Sequence, residues 1–252
     1  MITNREQIIA ILDYVKSNCG GVGNDFYNDE VGENFKTTIY IDIENGSDLN
    51  DGYSENRPLR TMKKVWEKIP LFYFNSYEII SLGDLKGSSD DIFKPRFCLG
   101  KKFSTESNIA LKCGITLKGI KDNFSSINLI DDNYVSINNL NDFELADINV
   151  SMSSGVYFND CKNISISGVA FSYDDDINKI IFNGCDKVYL KKVKFNSIQS
   201  TGMSNIYMNI CTPTSDGVKV LSEECSKVVC EDSSIGSQYV ETTGGKIEVI
   251  NN

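Results

Sequence analysis

Val156-Tyr157-Phe158-Asn159-Asp160-Cys161-Lys162-Asn163-Ile164-Ser165-Ile166 returns 24 residues later as Ile180-Ile181-Phe182-Asn183-Gly184-Cys185-Asp186-Lys187-Val188-Tyr189-Leu190. One step earlier, Val135-Ser136-Ile137-Asn138-Asn139-Leu140 carries the same pattern at an offset of 21, with Leu140 in the place of the cysteine. A repeat of this length, made of period-2 apolar runs joined by small polar turns, predicts a parallel β-solenoid. One rung cannot bury its own apolar face, so rungs stack at about 4.8 Å and equivalent side chains form columns along the axis. Phe158 then lies over Phe182, and Val150, Phe171 and Phe195 align in the next strand of the rung, all facing inward. Asn138, Asn159 and Asn183 align at a turn, where stacked amides hydrogen-bond along the axis. Cys161 and Cys185 fall in one column and read as small core residues, and with Cys225 they are expected to be reduced and buried.

The pattern extends upstream through Ile115–Ile120 to Tyr77–Leu82, which reads as the first rung. Downstream, Gly217-Val218-Lys219-Val220 echoes Gly168-Val169-Ala170-Phe171, Val228-Val229-Cys230 continues the stack, and Lys246–Ile250 closes it. The register after Thr201 stays open, because Asn209-Ile210-Cys211 matches the Asn183-Gly184-Cys185 turn at a different spacing.

Residues 1–36 read as a separate attachment segment and 37–252 as the solenoid domain. Thr3-Asn4-Arg5-Glu6 is a capping box for a helix to Asn18, with Ile8, Ile11, Leu12 and Val15 on one face, and a polar connector follows from Gly20 to Lys36. Thr38–Asp42 is a strand. In the segment 61–69, Met62, Val65, Trp66 and Ile69 recur at helical spacing before Pro70, and this short helix, with the only tryptophan, is suited to cap the open end of the first rung.

Ile39-Tyr40-Ile41-Asp42, Asn45-Gly46-Ser47-Asp48, Asn50-Asp51-Gly52-Tyr53-Ser54, Pro58, Thr61 and Ile69-Pro70, running into a solenoid, resemble the lead-in module of right-handed parallel β-helix proteins of the pectate-lyase-like superfamily. That module is frequent in phage tail spikes, tail fibres and baseplate proteins. The resemblance implies an all-β, single-stranded, right-handed parallel β-helix over about residues 38–240 and fixes no activity, since this fold carries lyases, hydrolases and adhesins. Pectate lyases draw a proton with an arginine, and this chain has no arginine after Arg96.

Composition narrows the chemistry further. The net charge is −10 with 25 basic and 35 acidic residues, and the basic residues do not cluster, so no nucleic-acid partner is expected. No apolar run reaches the roughly 20 residues that cross a bilayer, and Arg5, Glu6 and Asp13 do not fit a signal peptide, so no membrane insertion and a cytoplasmic origin with reduced thiols are expected. Histidine is absent, which removes the commonest general base and the commonest nitrogen ligand for zinc. No cofactor is expected.

Three groups remain as candidates. Asp42, Glu44, Asp48 and Asp51 lie in one turn-rich stretch and invite calcium, although Asp and Asn beside Gly are equally what tight turns select. Asp131-Asp132 and Asp174-Asp175-Asp176 fall in the same inter-strand loop two rungs apart, about 10 Å along the axis, against the roughly 6.5 to 9.5 Å between the carboxyls of inverting glycosidases. Tyr157, Tyr173, Tyr189 and Tyr207 could offer platforms to sugar rings. The leading functional expectation is a non-enzymatic tail or baseplate protein of a phage-like particle, assembled in the host cytoplasm, displayed towards bacterial surface glycan, and docked to sister chains or other virion proteins through residues 1–36, with a trimer favoured. A polysaccharide depolymerase of the tail-spike type and a decoration or assembly protein are the alternatives.

Overall fold

The computed structural model describes residues 36–73, 76–98, 114–120, 125–129, 135–152, 155–173, 179–214, 220–231, 233, 239–242 and 244–250. The described residues wind as a parallel β-solenoid of about six turns. Each turn visits three faces in order. The first face is a nine-stranded sheet of Lys36–Ile41, Ser76–Ser81, Gly114–Gly119, Asn141–Ala146, Lys162–Ser167, Asp186–Lys191, Asn205–Asn209, Lys227–Glu231 and Lys246–Ile250. The second face in chain order joins Leu85–Gly87, Ser126–Leu129, Asn149–Met152 and Phe171–Tyr173, and continues as the pair Lys194–Phe195 and Thr212–Pro213. The third joins Val135–Asn138, Val156–Asn159, Lys179–Asn183, Ser197–Thr201, Val220–Ser222 and Tyr239–Glu241.

Register follows the repeat. Val156, Tyr157, Phe158 and Asn159 pair with Ile180, Ile181, Phe182 and Asn183 on one side and with Val135–Asn138 on the other. Period-2 alternation sends Phe158 and Phe182 inward, where their rings stack at 5.0 Å with 17° between planes. Val150 pairs with Phe171, and Phe195 follows in the same buried column. The apolar side chains of all three faces form one continuous core, from Ile39 to Cys230. The asparagine ladder is present: Asn159 Nδ2 donates to Asn138 Oδ1 at 3.0 Å and Asn183 Nδ2 to Asn159 Oδ1 at 3.2 Å.

The corners explain why the repeat contains Asn-x-Cys. At each corner one residue takes a positive φ and the next turns into the core: Asn139 before Leu140, Asp160 before Cys161, Gly184 before Cys185. Asn, Asp and Gly tolerate that conformation best. The buried thiol then donates to the carbonyl two residues back, Cys161 to Asn159 at 3.4 Å and Cys185 to Asn183 at 3.5 Å. Ser204 replaces cysteine in the next rung and its hydroxyl donates to Phe182 O at 3.0 Å, while Ser226 continues the column.

Three sequence expectations are corrected by the structure, and one that the sequence left open is resolved. The stack begins one strand earlier than Tyr77, because Lys36–Ile41 pairs in register with Ser76–Ser81. The open register after Thr201 resolves with Val188 opposite Ile206 and Tyr189 opposite Tyr207, so this rung is only 18 residues long. Asn209-Ile210-Cys211 is therefore a corner of the same local shape as Asn183-Gly184-Cys185, with Ile210 at φ 53°, but it stands between the first and second faces rather than between the third and first. Val220 pairs with Ile198 in the third face, so the Gly217–Val220 echo of Gly168–Phe171 is not a structural equivalence. The last correction concerns cysteine: Cys225 is exposed rather than buried, and Cys98 is disulfide-bonded, its partner lying outside the described residues. Cys98 ends a two-residue strand that, among the described residues, pairs only with Phe72–Tyr73.

Helix α1 (Met62–Lys68) buries Met62, Val65 and Trp66 at the start of the stack, as its spacing predicts. Thr61 caps it, accepting from Lys64 N. Trp66 Nε1 donates to Asp91 O at 2.9 Å in the short helix α2 (Ser89–Ile92). The Arg96 guanidinium lies 5.3 Å from the Trp66 ring centroid and donates to the carbonyls of Trp66 and Ile69. The last arginine of the chain is thus a fastener of the cap.

Candidate functional site

The four carboxylates proposed for calcium do not converge. Asp42 Oδ1 accepts from the backbone of Glu44 and Asn45 at 3.0 and 2.9 Å. Asp48 accepts from the backbone of Arg60 and Thr61 and from the Thr61 hydroxyl, so it ties the turn to the cap of α1. Asp51 accepts from Tyr53 N and pairs with Arg57 at 3.0 Å. These are local closures of turns, and among the described residues no cluster of three or more candidate ligands surrounds a point in space.

Asp131, Asp132, Asp174, Asp175 and Asp176 lie outside the described residues. Their flanking strands are described: both loops connect the second face to the third, and one rung, Asn149–Asn159, separates them.

The tyrosines divide. Tyr157 points outward from the third face, between Ser136 and Ile181. Tyr173 ends a strand of the second face, and its side chain is outside the description. Tyr189 and Tyr207 are brought together on the outer side of the first face, in adjacent strands, with ring centroids 6.2 Å apart and planes tilted by 57°. Tyr189 is 51% exposed. The Tyr207 hydroxyl donates to Glu231 Oε2, which also accepts from Asn209 Nδ2 at 3.0 Å, and this fixes the ring.

Alternation makes this face. Inward Ile164, Val188, Ile206 and Val228 alternate with an outward column of Glu78, Thr116, Glu144, Ser165, Tyr189, Tyr207, Val229 and Glu248, paired strand by strand. Its two ends differ. Near the cap, Glu78 is held between Lys36 at 2.7 Å and Lys118 at 3.0 Å. Burial alone would raise its carboxyl, but the hydrogen bonds from Lys36 and Lys118 outweigh that and hold it below the ordinary carboxylate range. Further along, shallow depressions flank the two tyrosines. One is lined by Lys187, Asn205, Lys227 and Val229, the other by Glu144, Ser165, Ser167, Lys191 and Asn209. Sequence reading found the tyrosines and missed these neighbours, although the alternation Lys187-x-Tyr189-x-Lys191 places all three on one side of a strand.

Chemically the region offers aromatic faces, hydroxyls, amides and ammonium groups on a rigid sheet. Of its carboxylates, Glu144 and Glu231 are four strands apart, about 19 Å along the axis, while Glu231 and Glu248 stand in adjacent strands and are engaged with Tyr207 and Lys227 respectively. No protein-family model matches the chain, and no curated protein matches it either. Among the described residues no helix is long and apolar enough to cross a membrane.

Proposed function

We propose that this protein is a non-enzymatic tail or baseplate component of a phage or phage-like particle, and that it meets bacterial surface carbohydrate through the outer side of its nine-stranded face. The observation that carries the reading is the exposed Tyr189 beside the fixed Tyr207, set among Ser165, Ser167 and Asn209. Sugar rings stack their apolar faces on aromatic side chains, and their hydroxyls pair with the groups around them. A parallel sheet holds these groups with little freedom to lose on binding. The particle context rests on the lead-in module, whose turns here are closed by Asp42, Asp48 and Asp51 and lead directly into the capping helix.

The test has two arms. Immunogold labelling of purified particles reports whether the protein sits on the tail or baseplate, and pull-down with polysaccharide extracted from the host surface reports binding. Labelling of neither structure, together with no retention on polysaccharide, refutes the proposal. A depolymerase is the second reading, favoured by the two acidic loops in one connection. It requires wild-type protein to release reducing ends from that polysaccharide and Asp132→Asn or Asp175→Asn to abolish the release with the fold intact.

A further inference from the structure

We infer that the Tyr189–Tyr207 pair is a binding site for an acidic sugar, one bearing a carboxylate or a phosphate; the inference rests on the carbohydrate reading above and adds the class of ligand. Lys187 and Lys191 stand two residues before and after Tyr189, all three are exposed, and the lysines line the depressions on either side of it. Lys227 lines the same depression as Lys187, in a strand beyond the one that carries Tyr207. Among the described residues Lys187 and Lys191 make no ion pair, while Lys227 reaches Glu248 at 3.5 Å. Three lysines therefore line the depressions beside the exposed Tyr189 and the half-buried Tyr207, on a chain whose net charge is −10. The carboxylates in the region are otherwise engaged: Glu231 holds the Tyr207 hydroxyl, and Glu144 accepts from Thr116 Oγ1 at 3.1 Å.

The column that contains Lys187 points the same way. In the two preceding rungs its position is taken by Asp142 and Asn163, both at positive φ, with Asn163 Nδ2 donating to Asp142 Oδ1 at 2.9 Å. Lys187 keeps the conformation, at φ 56°, without that local hydrogen bond. Asp and Asn tolerate this region far better than lysine does, so folding alone favours the polar pair over the cation. A sugar ring stacked on Tyr189 would present its anionic group to Lys187 and Lys227 and its hydroxyls to Ser165, Ser167 and Asn209. Fixed cations at an aromatic platform give both attraction and orientation, and the attraction is screened by salt.

Isothermal titration of the full chain decides between ligand classes with three probes: a uronate oligosaccharide, a glycerol-phosphate oligomer, and a neutral glucan oligosaccharide of equal length. The expected result is binding of at least one acidic probe that weakens as salt rises. Which acidic probe binds separates carboxylate from phosphate recognition. Lys187→Ala should weaken that binding about tenfold, as for loss of one charge-assisted hydrogen bond, and Tyr189→Ala should do at least as much. Lys194→Ala, on another face, should leave it unchanged, and unaltered melting temperatures guard against misfolding. Binding of the neutral probe alone overturns this inference and leaves carbohydrate recognition standing. Binding of an acidic probe that is insensitive to both Lys187→Ala and Tyr189→Ala also overturns it, by moving the site elsewhere. Failure of all three probes overturns the inference, and failure to retain host polysaccharide as well removes the reading beneath it.

Discussion

Phe182→Ala tests whether the stack is held as the columns indicate. The side chain is fully buried, with Phe158 stacked on one side at 5.0 Å and Ser200 in register on the other. Deleting a buried phenylalanine ring loses its transfer free energy and leaves a cavity, together about 3 to 5 kcal/mol. The stack with Phe158 adds to the upper end, since such pairs contribute about 0.5 to 1.5 kcal/mol beyond area. Ser200 works in the opposite direction. Its hydroxyl is buried without a hydrogen-bond partner among the described residues, so water entering the new cavity would find a polar wall and refund part of the loss. The expected destabilisation is therefore about 3 to 4 kcal/mol, a large share of the roughly 5 to 15 kcal/mol of a whole domain. Urea unfolding followed by far-ultraviolet circular dichroism measures it, and fluorescence of Trp66 in the cap shows whether distant rungs unfold with the centre. Tyr189→Ala, on the surface, is the control and should change stability by less than about 0.5 kcal/mol. A loss below about 1 kcal/mol for Phe182→Ala, or the absence of coupling in a double-mutant cycle with Phe158→Ala, would refute the column as a source of stability.

The remaining expectations concern titration, thiols and assembly. Burial pushes the Cys230 thiol up from the ordinary 9.0 to about 12 and also raises Cys211; a raised folded-state pKa adds stability that is intact below pH 9 and lost as pH climbs towards 12, so the urea midpoint should fall across that window, and less steeply in Cys230→Ala. For Glu78 the folded value is depressed, so its contribution is present above the ordinary value of 4.5 and fades as pH falls through the folded value; Glu78→Gln should flatten the acid limb of a melting-temperature profile, and an unchanged limb counts against the Lys36–Glu78–Lys118 triad as its cause. Native alkylation at pH 8 followed by mass spectrometry should label Cys225 and spare Cys161, Cys185, Cys211 and Cys230. Rapid labelling of Cys185, or a Cys161–Cys185 bridge, would contradict the corner geometry. Deleting residues 1–36 should abolish oligomers in light scattering and incorporation into particles, and truncated protein that assembles like the full chain removes the attachment role.

What could be read from the sequence depended on whether a residue's role is local or belongs to a column. Period-2 alternation and the Phe-Asn-x-Cys repetition gave the solenoid, the paired phenylalanines and the asparagine ladder, because stacked rungs impose the same side chain at the same height. The capping helix was equally legible, since Met62, Val65, Trp66 and Ile69 declare one face by spacing alone. The motif Asn-x-Cys left the register after Thr201 open for a physical reason. It encodes a corner, in which one residue takes a positive φ and the next turns inward, and the fold has more than one such corner per turn, so Cys211 resembled Cys185 while standing at a different edge. Serine also replaced cysteine at Ser204 with the same hydrogen bond to the carbonyl of the rung above, and so removed the letter that marked the column. The tyrosine pair was unreadable until the rung of 18 residues was placed, because only that register sets Tyr207 beside Tyr189.

That short rung also bears on where a site can form. Successive first-face strands are offset by 21, 24, 18 and 22 residues from Phe143 through Ile164, Val188 and Ile206 to Val228, yet they stay paired residue by residue. The variation in length is absorbed in corners and in the connections between the other faces. Loops that change length from rung to rung cannot align their side chains along the axis, whereas an unbroken sheet face aligns them at every step of about 4.8 Å. A ligand longer than one rung, such as a polymer of sugars, therefore finds a continuous row of contacts on this face, from Glu144 through Ser165 and Tyr189 to Tyr207 and Val229. Substitution along that row should weaken binding in proportion to how many sugar units a ligand spans, while substitutions in the corner columns should act on stability alone. A long oligosaccharide that loses no more affinity than a single sugar when Ser165 and Tyr189 are both replaced by alanine would show that the row is not used as one surface.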